Sequence, residues 1–204
     1  MSVVFTTITD RFIALCADKQ ETNMRTGEKN ISAATKVEKW SPEIAVGWCG
    51  NSDLANIILT AVKGYVGENG LDNFTLEELA DWFAQTYYAA RDEYQDMPAN
   101  IVAKFVVAGR MPNGNFAAIQ IIDGNDVADV EIFEARPTPI TLIFEPEDLS
   151  SEVCNNLFSK AITNSKNKNT HGQSMLEAVH RKAVRYVSEY SKYVGHKSDY
   201  IIIE

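Results

Sequence analysis

The fold is decided by the first strand pair that the sequence predicts, SVVFTTITDRFIALCAD at residues 2–18. Residues 3–7 are rich in β-branched and aromatic side chains, and residues 12–17 form an apolar run of strand length. The polar residues 9–11 between them favour a turn, so the stretch predicts a β-hairpin. Because its strands are apolar on both faces, they must be covered on both sides.

The rest of the chain predicts more strands and two pairs of helices. A polar stretch at residues 19–30 is typical of a surface loop. A capping box, in which Glu78 follows Thr75 by three positions, marks the start of the second helix. In chain order we predict strands at 3–7, 12–17, 35–40 and 44–48, a helix capped by Asn51 or Ser52, a helix from Thr75 to 97–98, strands at 101–109, 116–122, 127–133 and 139–144 in one continuing sheet, helices at 149–163 and 174–194, and a strand at 200–203.

The order of these elements predicts the fold class. Strands and helices come in runs rather than in strict alternation, which favours an α+β fold with antiparallel sheets. A four-layer αββα sandwich, with two sheets face to face and a helix pair on each outer side, covers the doubly apolar strands. The length of 204 residues suits a single domain spanning residues 1–204.

Composition excludes several classes of function. The net charge of -9 argues against a nucleic-acid partner, since such a surface needs clustered lysine and arginine. No apolar run reaches the length of a membrane span, and the first residues lack the features of a signal peptide. We therefore expect a cytoplasmic protein without a membrane partner.

Cysteine and histidine spacing indicates neither a metal site nor another cofactor. The three cysteines, Cys16, Cys49 and Cys154, fit neither a zinc site nor a disulfide framework. The three histidines show no H-E-x-x-H pattern or similar ligand spacing. Cys49 has no histidine near it in sequence, which disfavours it as a nucleophile.

Three short motifs follow one another in the first quarter of the chain: CADKQ at 16–20, TKV at 35–37 and VGWCGNS at 46–52. In this order they resemble motifs of the proteasome β-subunit and bacterial HslV family of N-terminal-nucleophile (Ntn) hydrolases. In that family an aspartate ends the second strand, a lysine begins the third, and a glycine-rich turn opens the first helix. The resemblance implies the Ntn-hydrolase fold and a threonine-protease-type endopeptidase.

The resemblance also implies a catalytic set. The family's nucleophile is the hydroxyl of the mature N-terminal residue, and its own α-amine is the base. Counting back from Asp18 by the family spacing leads to Ser2, which becomes N-terminal once Met1 is removed. Lys36 would lower the pKa of that amine and stabilise negative charge, and Asp18 would pair with Lys36. Gly50 matches the glycine of the family's oxyanion hole.

Four further positions follow from the resemblance. Thr141 falls where the family has a glycine-rich turn, and Glu189 and Ser191 fall near an acid and a serine that support the N-terminus. The family commonly has threonine as its nucleophile, whereas this chain has serine. Cleavage before Thr6 would expose a threonine and is the alternative start.

Three hypotheses of function remain open. The first is a peptidase subunit acting on peptides or unfolded proteins within a homo-oligomeric ring or stack, with an ATP-dependent unfoldase as a candidate partner. The second is a non-catalytic structural relative that keeps the fold and assembly. The third is an amidohydrolase that uses the same nucleophile on a small amide.

Overall fold

A computed structural model describes residues 2–22, 28–30, 34–93, 102–122, 128–165 and 172–204. Its elements, in chain order, are β1 Val4–Ile8, β2 Ile13–Asp18, β3 Glu21–Thr22, β4 Lys29–Asn30, β5 Val37–Lys39, β6 Ile44–Gly50, α1 Ser52–Asn69, a 3-10 turn Leu71–Asn73, α2 Leu76–Glu93, β7 Ala103–Arg110, β8 Phe116–Ile122, β9 Asp129–Glu134, β10 Ile140–Phe144, α3 Ser151–Thr163, α4 Gln173–Tyr190 and β11 Ser198–Ile203.

The strands form two large antiparallel sheets and one small hairpin. The first sheet has the order β10-β1-β2-β11, and the second has the order β5-β6-β7-β8-β9. The hairpin predicted at residues 2–18 is confirmed, with Val4 opposite Ala17 and Ile8 opposite Ile13. Because β1 and β2 are central strands, this hairpin organises the whole first sheet.

Apolar side chains fill three spaces between four layers. Leu15 and Val106 lie in the space between the two sheets. Phe83 of α2 packs on Phe105 of the second sheet, with ring centroids 5.1 Å apart. On the opposite outer side, Phe5 stacks on Phe158 of α3 at 5.3 Å. The predicted four-layer αββα sandwich is confirmed.

The helix starts also agree with the sequence. The Asn51 side chain accepts a hydrogen bond from the Leu54 N–H at 2.9 Å and thereby caps α1. The Glu78 side chain accepts from the Thr75 N–H at 2.8 Å, and Thr75 Oγ1 accepts from the Glu78 N–H at 3.2 Å. None of the described helices has the length and apolarity needed to cross a membrane.

Two predictions about strands and loops need correction. Strand β10 does not continue the second sheet but pairs with β1 of the first. Pro137 and Pro139 precede it, and because proline lacks a backbone N–H, this segment cannot extend the ladder. The predicted loop at 19–30 contains the short hairpin of β3 and β4. The predicted element boundaries at 97–98, 101 and 127 lie outside the described residues.

Helix α4 ends at Tyr190 rather than at the predicted residue 194. Ser191 has extended backbone angles, and its hydroxyl donates to Asp148 Oδ1 at 2.7 Å. The Lys192 N–H donates to Asp148 Oδ2 at 3.0 Å. Because the carboxylate satisfies groups that would otherwise continue the helix, the chain turns away one turn early.

Candidate active site

Asp18 lies at the centre of a buried polar cluster at one end of the β1–β2 pair. Its carboxylate accepts backbone N–H groups from Val3 at 3.2 Å, from Gln20 at 2.9 Å and from Gly195 at 3.1 Å. These donors come from three separate segments of the chain. Three N–H groups compensate for much of the hydration that a buried carboxylate loses.

Lys36 completes this cluster from the segment just before β5. Its Nζ atom lies 3.3 Å from Asp18 Oδ2 and 3.4 Å from Oδ1, and it also donates to the Gln20 carbonyl oxygen. Burial lowers the pKa of Lys36, because desolvation disfavours the ammonium, and the Asp18 carboxylate opposes that shift. The result is a buried ammonium held by one carboxylate and one carbonyl.

Ser2 lies beside this cluster, next to the Val3 N–H that Asp18 binds. Its side chain is buried, and its hydroxyl has no hydrogen-bond partner among the described residues. Buried hydroxyls are ordinarily paired, so an unpaired one is a candidate for binding or chemistry. A pocket of about 120 Å³ adjoins it, lined by Ser2, Cys49, Gly50, Val102, Lys104, Glu145 and Glu147.

Gly50 ends β6 and forms part of the same pocket. Its φ of 106° is in the region that favours glycine, and a Cβ atom there would lie 2.3 Å from the Val102 carbonyl oxygen. The Asn51 N–H donates to that same oxygen at 2.8 Å, immediately before α1 begins. Only glycine fits this turn, which brings the backbone and the N-terminus of α1 to the pocket.

Cys49 lines the pocket but lacks the properties of a nucleophile. Burial raises the pKa of its thiol to about 12, and the nearby cations Lys104 and Lys36 offset only part of this shift. Since the thiolate is the reactive form, this raised pKa argues against Cys49 as the nucleophile. All three cysteines are buried and unpaired.

The other predicted positions lie elsewhere. Thr141 lies on β10 opposite Thr7, and its hydroxyl is 2.8 Å from Thr7 Oγ1, away from the end of β1 where Ser2 lies. Glu189 is exposed near the end of α4. Thr6 is buried inside β1, between Leu15 and Leu142, so a chain beginning there would lose core residues.

Ser191 belongs to the support of the cluster. It is bonded to Asp148, and the adjacent Lys192 carbonyl accepts from Gln20 Nε2 at 3.1 Å. Gln20 in turn supplies the carbonyl that binds Lys36. The structure therefore places Ser2 and Gly50 in one pocket and Asp18 and Lys36 in one ion pair, with Ser191 in the segment that supports Gln20, whereas Thr141 and Glu189 lie elsewhere.

Asp148 and Gly195 are parts of this support that sequence reasoning missed. Asp148 lies in the turn before α3, and nothing in its local sequence distinguishes it from any exposed loop carboxylate. A Cβ atom on Gly195 would lie 2.8 Å from Gln20 Cβ, so this glycine permits a close contact. Among the described residues, no three His, Cys, Asp or Glu side chains gather as a metal site would require.

The chain has the four-layer fold of HslV-like, proteasome-type Ntn hydrolases, which confirms the resemblance of the sequence motifs at the level of fold. No protein-family model and no curated protein matches the chain.

Three solved structures are examples of this similarity. A Gly-1 mutant of Anbu from Hyphomicrobium sp. strain MC1 matches with a TM-score of 0.71 and 12% identity, over 100% of this chain and 82% of that one. Anbu from Pseudomonas aeruginosa, solved as a helical assembly, matches with a TM-score of 0.70 and 13% identity, over 98% and 80%. Eukaryotic HslV from Trypanosoma brucei matches with a TM-score of 0.56 and 15% identity, over 99% of each chain.

Proposed function

We propose that the protein is an Ntn peptidase of the HslV-like family that cleaves peptide bonds with the hydroxyl of Ser2. One observation carries the proposal. The buried hydroxyl of Ser2 has no partner among the described residues, Ser2 lines a pocket, and the next residue, Val3, donates its N–H to Asp18 of the Asp18–Lys36 ion pair. Met1 lies outside the described residues, and its removal is part of the proposal.

The proposed reaction uses two groups of Ser2. Its α-amine, freed when Met1 leaves, has an ordinary pKa of about 8 and accepts the proton from Oγ as Oγ attacks the substrate carbonyl. The tetrahedral intermediate collapses to an ester on Ser2 as the amine passes the proton to the leaving nitrogen. Water then hydrolyses the ester, with the same amine as base.

Asp18, Lys36 and Gly50 support these steps without forming covalent bonds. The buried Lys36 ammonium lowers the pKa of the neighbouring amine and stabilises negative charge. Asp18 holds Lys36 in place. Gly50, which has no side chain, lets the substrate carbonyl approach the backbone at the N-terminus of α1, where the helix dipole favours negative charge.

Assembly and location are also proposals. We propose a homo-oligomeric ring or stack that encloses the sites, supported by the helical assembly of the Pseudomonas Anbu structure. We place the protein in the cytoplasm, where three unpaired cysteines are ordinary. Light scattering after gel filtration and fractionation of the native host test these two points, and pull-down from that host tests for an ATP-dependent unfoldase.

The decisive experiment begins with the intact mass of the protein from its native host. We expect loss of Met1 and then covalent modification by a peptidyl epoxyketone, which reacts with a hydroxyl and an amine on one residue. Ser2→Ala should abolish labelling and peptide turnover, while Cys49→Ala should leave both intact. A chain that still carries Met1 in its host would overturn the proposal.

A scaffold without hydrolysis is the second candidate, favoured by one observation. The Ser2 side chain is only 1% exposed, which is the burial expected of a structural residue rather than of one open to substrate. Retained Met1 together with normal assembly would support this candidate. Turnover of a small amide without peptide cleavage would instead support an amidohydrolase.

A further inference from the structure

The pocket beside Ser2 is small and carries an uneven set of charges. Its volume of about 120 Å³ lies well below the roughly 300–1,000 Å³ of pockets for drug-sized ligands. It therefore has room for one side chain rather than for a large molecule. Three of its lining residues have basic or acidic side chains, namely Lys104, Glu145 and Glu147.

Lys104 is already engaged within the pocket wall. Its Nζ atom lies 3.7 Å from Glu145 Oε1 and 5.9 Å from the centroid of the Phe144 ring. The first contact is an ion pair, and the second is a cation–π contact. Both contacts hold the Lys104 ammonium against the pocket wall, and the ion pair with Glu145 neutralises its charge.

Glu147 then leaves the wall with an excess of negative charge. It is exposed, and none of the ion pairs between described residues includes it. The apolar part of the wall, Val102 and Cys49, excludes water from one side of the pocket. A carboxylate beside an apolar wall attracts a cation on a long apolar stem, since the stem covers the wall and the charge meets the carboxylate.

A second observation points to a ligand in the same place. The Ser2 hydroxyl lines this pocket and is buried without a partner among the described residues. We propose that the pocket binds a lysine or arginine side chain next to the scissile bond, so that the substrates are peptides with a cationic residue at that position. This inference rests on the proposed peptidase function of Ser2, and it makes Glu147 a specificity-determining residue.

Matched peptides test the charge alone. One quenched fluorescent peptide is made with arginine, citrulline or glutamate at each position flanking the scissile bond in turn, because citrulline keeps the shape of arginine without its charge. We expect kcat/KM to favour arginine over citrulline by about fivefold, with Glu147 supplying most of this preference because Lys104 already neutralises Glu145. The preference should shrink in 1 M salt, where the Debye length falls to about 3 Å.

Two variants of Glu147 and one control variant test whether Glu147 causes the preference for the arginine peptide. Glu147→Gln should reduce the preference for arginine to less than about twofold, and Glu147→Lys should reverse it in favour of glutamate. Glu68→Gln, an equal change of charge on the exposed last turn of α1, should leave it unchanged. Equal turnover of the arginine and citrulline peptides would overturn the inference and leave the peptidase function standing. A second result would also overturn the inference. If Glu147→Gln slows the hydrolysis of all peptides equally and shifts the pH profile of kcat/KM, Glu147 acts on the Ser2 amine and not on the substrate side chain.

A binding measurement separates this inference from the proposed function. Fluorescence anisotropy with Ser2→Ala reports affinity without turnover, and the arginine peptide should bind about fivefold more tightly than the citrulline peptide. If the arginine peptide binds more tightly but the wild type hydrolyses neither peptide, the proposed peptidase function is wrong and the cation-binding pocket still stands. No preference in binding would refute the pocket, whatever the activity.

Discussion

Nζ of Lys36 lies 3.3 Å from Oδ2 of Asp18, and both side chains are almost completely shielded from solvent. A second lysine–aspartate pair in the chain, Lys19 with Asp199, has a shorter distance of 2.8 Å but is about one-third exposed. Judged by distance alone, the second pair would contribute more to stability. Burial reverses that order, because a buried charge that loses its partner cannot turn to water.

The two pairs therefore predict very different costs of substitution. Asp18→Asn leaves the Lys36 ammonium buried without a counter-charge, and we expect it to lower the free energy of unfolding by about 3–5 kcal/mol. Asp199→Asn should lower it by less than about 1 kcal/mol. Urea unfolding followed by tryptophan fluorescence measures both. Similar losses in the two variants would contradict the ion-pair argument.

Gly50→Ala tests the turn that leads into α1. The substitution places a Cβ atom 2.3 Å from the Val102 carbonyl oxygen at a φ of 106°, so we expect a loss of about 2–4 kcal/mol in unfolding free energy. Gly64 provides the control, because it lies inside α1 with nothing within 4 Å of an added Cβ. Gly64→Ala should stabilise the protein by about 0.5–1 kcal/mol. A tolerated Gly50→Ala would show that the turn can relax.

Local patterns made most of the fold predictable. The predicted strand 116–122 coincides with β8, and the Thr75–Glu78 capping box forms as expected. These features depend on residues close in sequence, where propensity and capping act directly. Local patterns could not predict that β10 pairs with β1, since this pairing joins residues more than 130 positions apart.

The same distinction holds at the candidate site. The resemblance of the motifs indicated Asp18, Lys36 and Gly50, which the structure places at the end of β2, directly before β5 and at the end of β6. Asp148 and Gly195 act through tertiary contacts, with Ser191 and with Asp18 respectively. No alternation, cap or spacing marks such contacts in a sequence.

Asp148→Ala tests the support behind the Asp18–Lys36 pair. The variant removes the acceptor for the Ser191 hydroxyl and the Lys192 N–H, so the segment after α4 should loosen. We expect a loss of about 1–2 kcal/mol in unfolding free energy and faster hydrogen exchange at residues 191–195. Asp72→Ala, at an exposed site in the 3-10 turn, is the matched control and should change neither quantity. Unchanged exchange at residues 191–195 would mean that Asp148 does not hold the segment.

His180 predicts how stability depends on pH in mild acid. Its ring is buried, its Nε2 atom lies 2.8 Å from Thr7 Oγ1, and burial lowers its pKa from 6.5 to about 3. Between those two values the unfolded chain binds a proton that the folded protein does not. Stability therefore falls as the pH drops through 6.5 towards 3, by up to about 1.4 kcal/mol per pH unit from this residue.

His180→Gln isolates this effect, because glutamine offers a polar partner to Thr7 but does not titrate in this range. The variant should be less stable than the wild type at pH 7.5, since it loses packing against Phe5 and Phe158. The difference in unfolding free energy between the two proteins should then narrow as the pH falls to 4.5. Only the wild type loses stability because its unfolded chain binds a proton at residue 180. Urea unfolding at pH 7.5, 6.0 and 4.5 measures this difference. A difference that stays constant across the three pH values would mean that His180 is protonated in the folded protein as readily as in the unfolded chain.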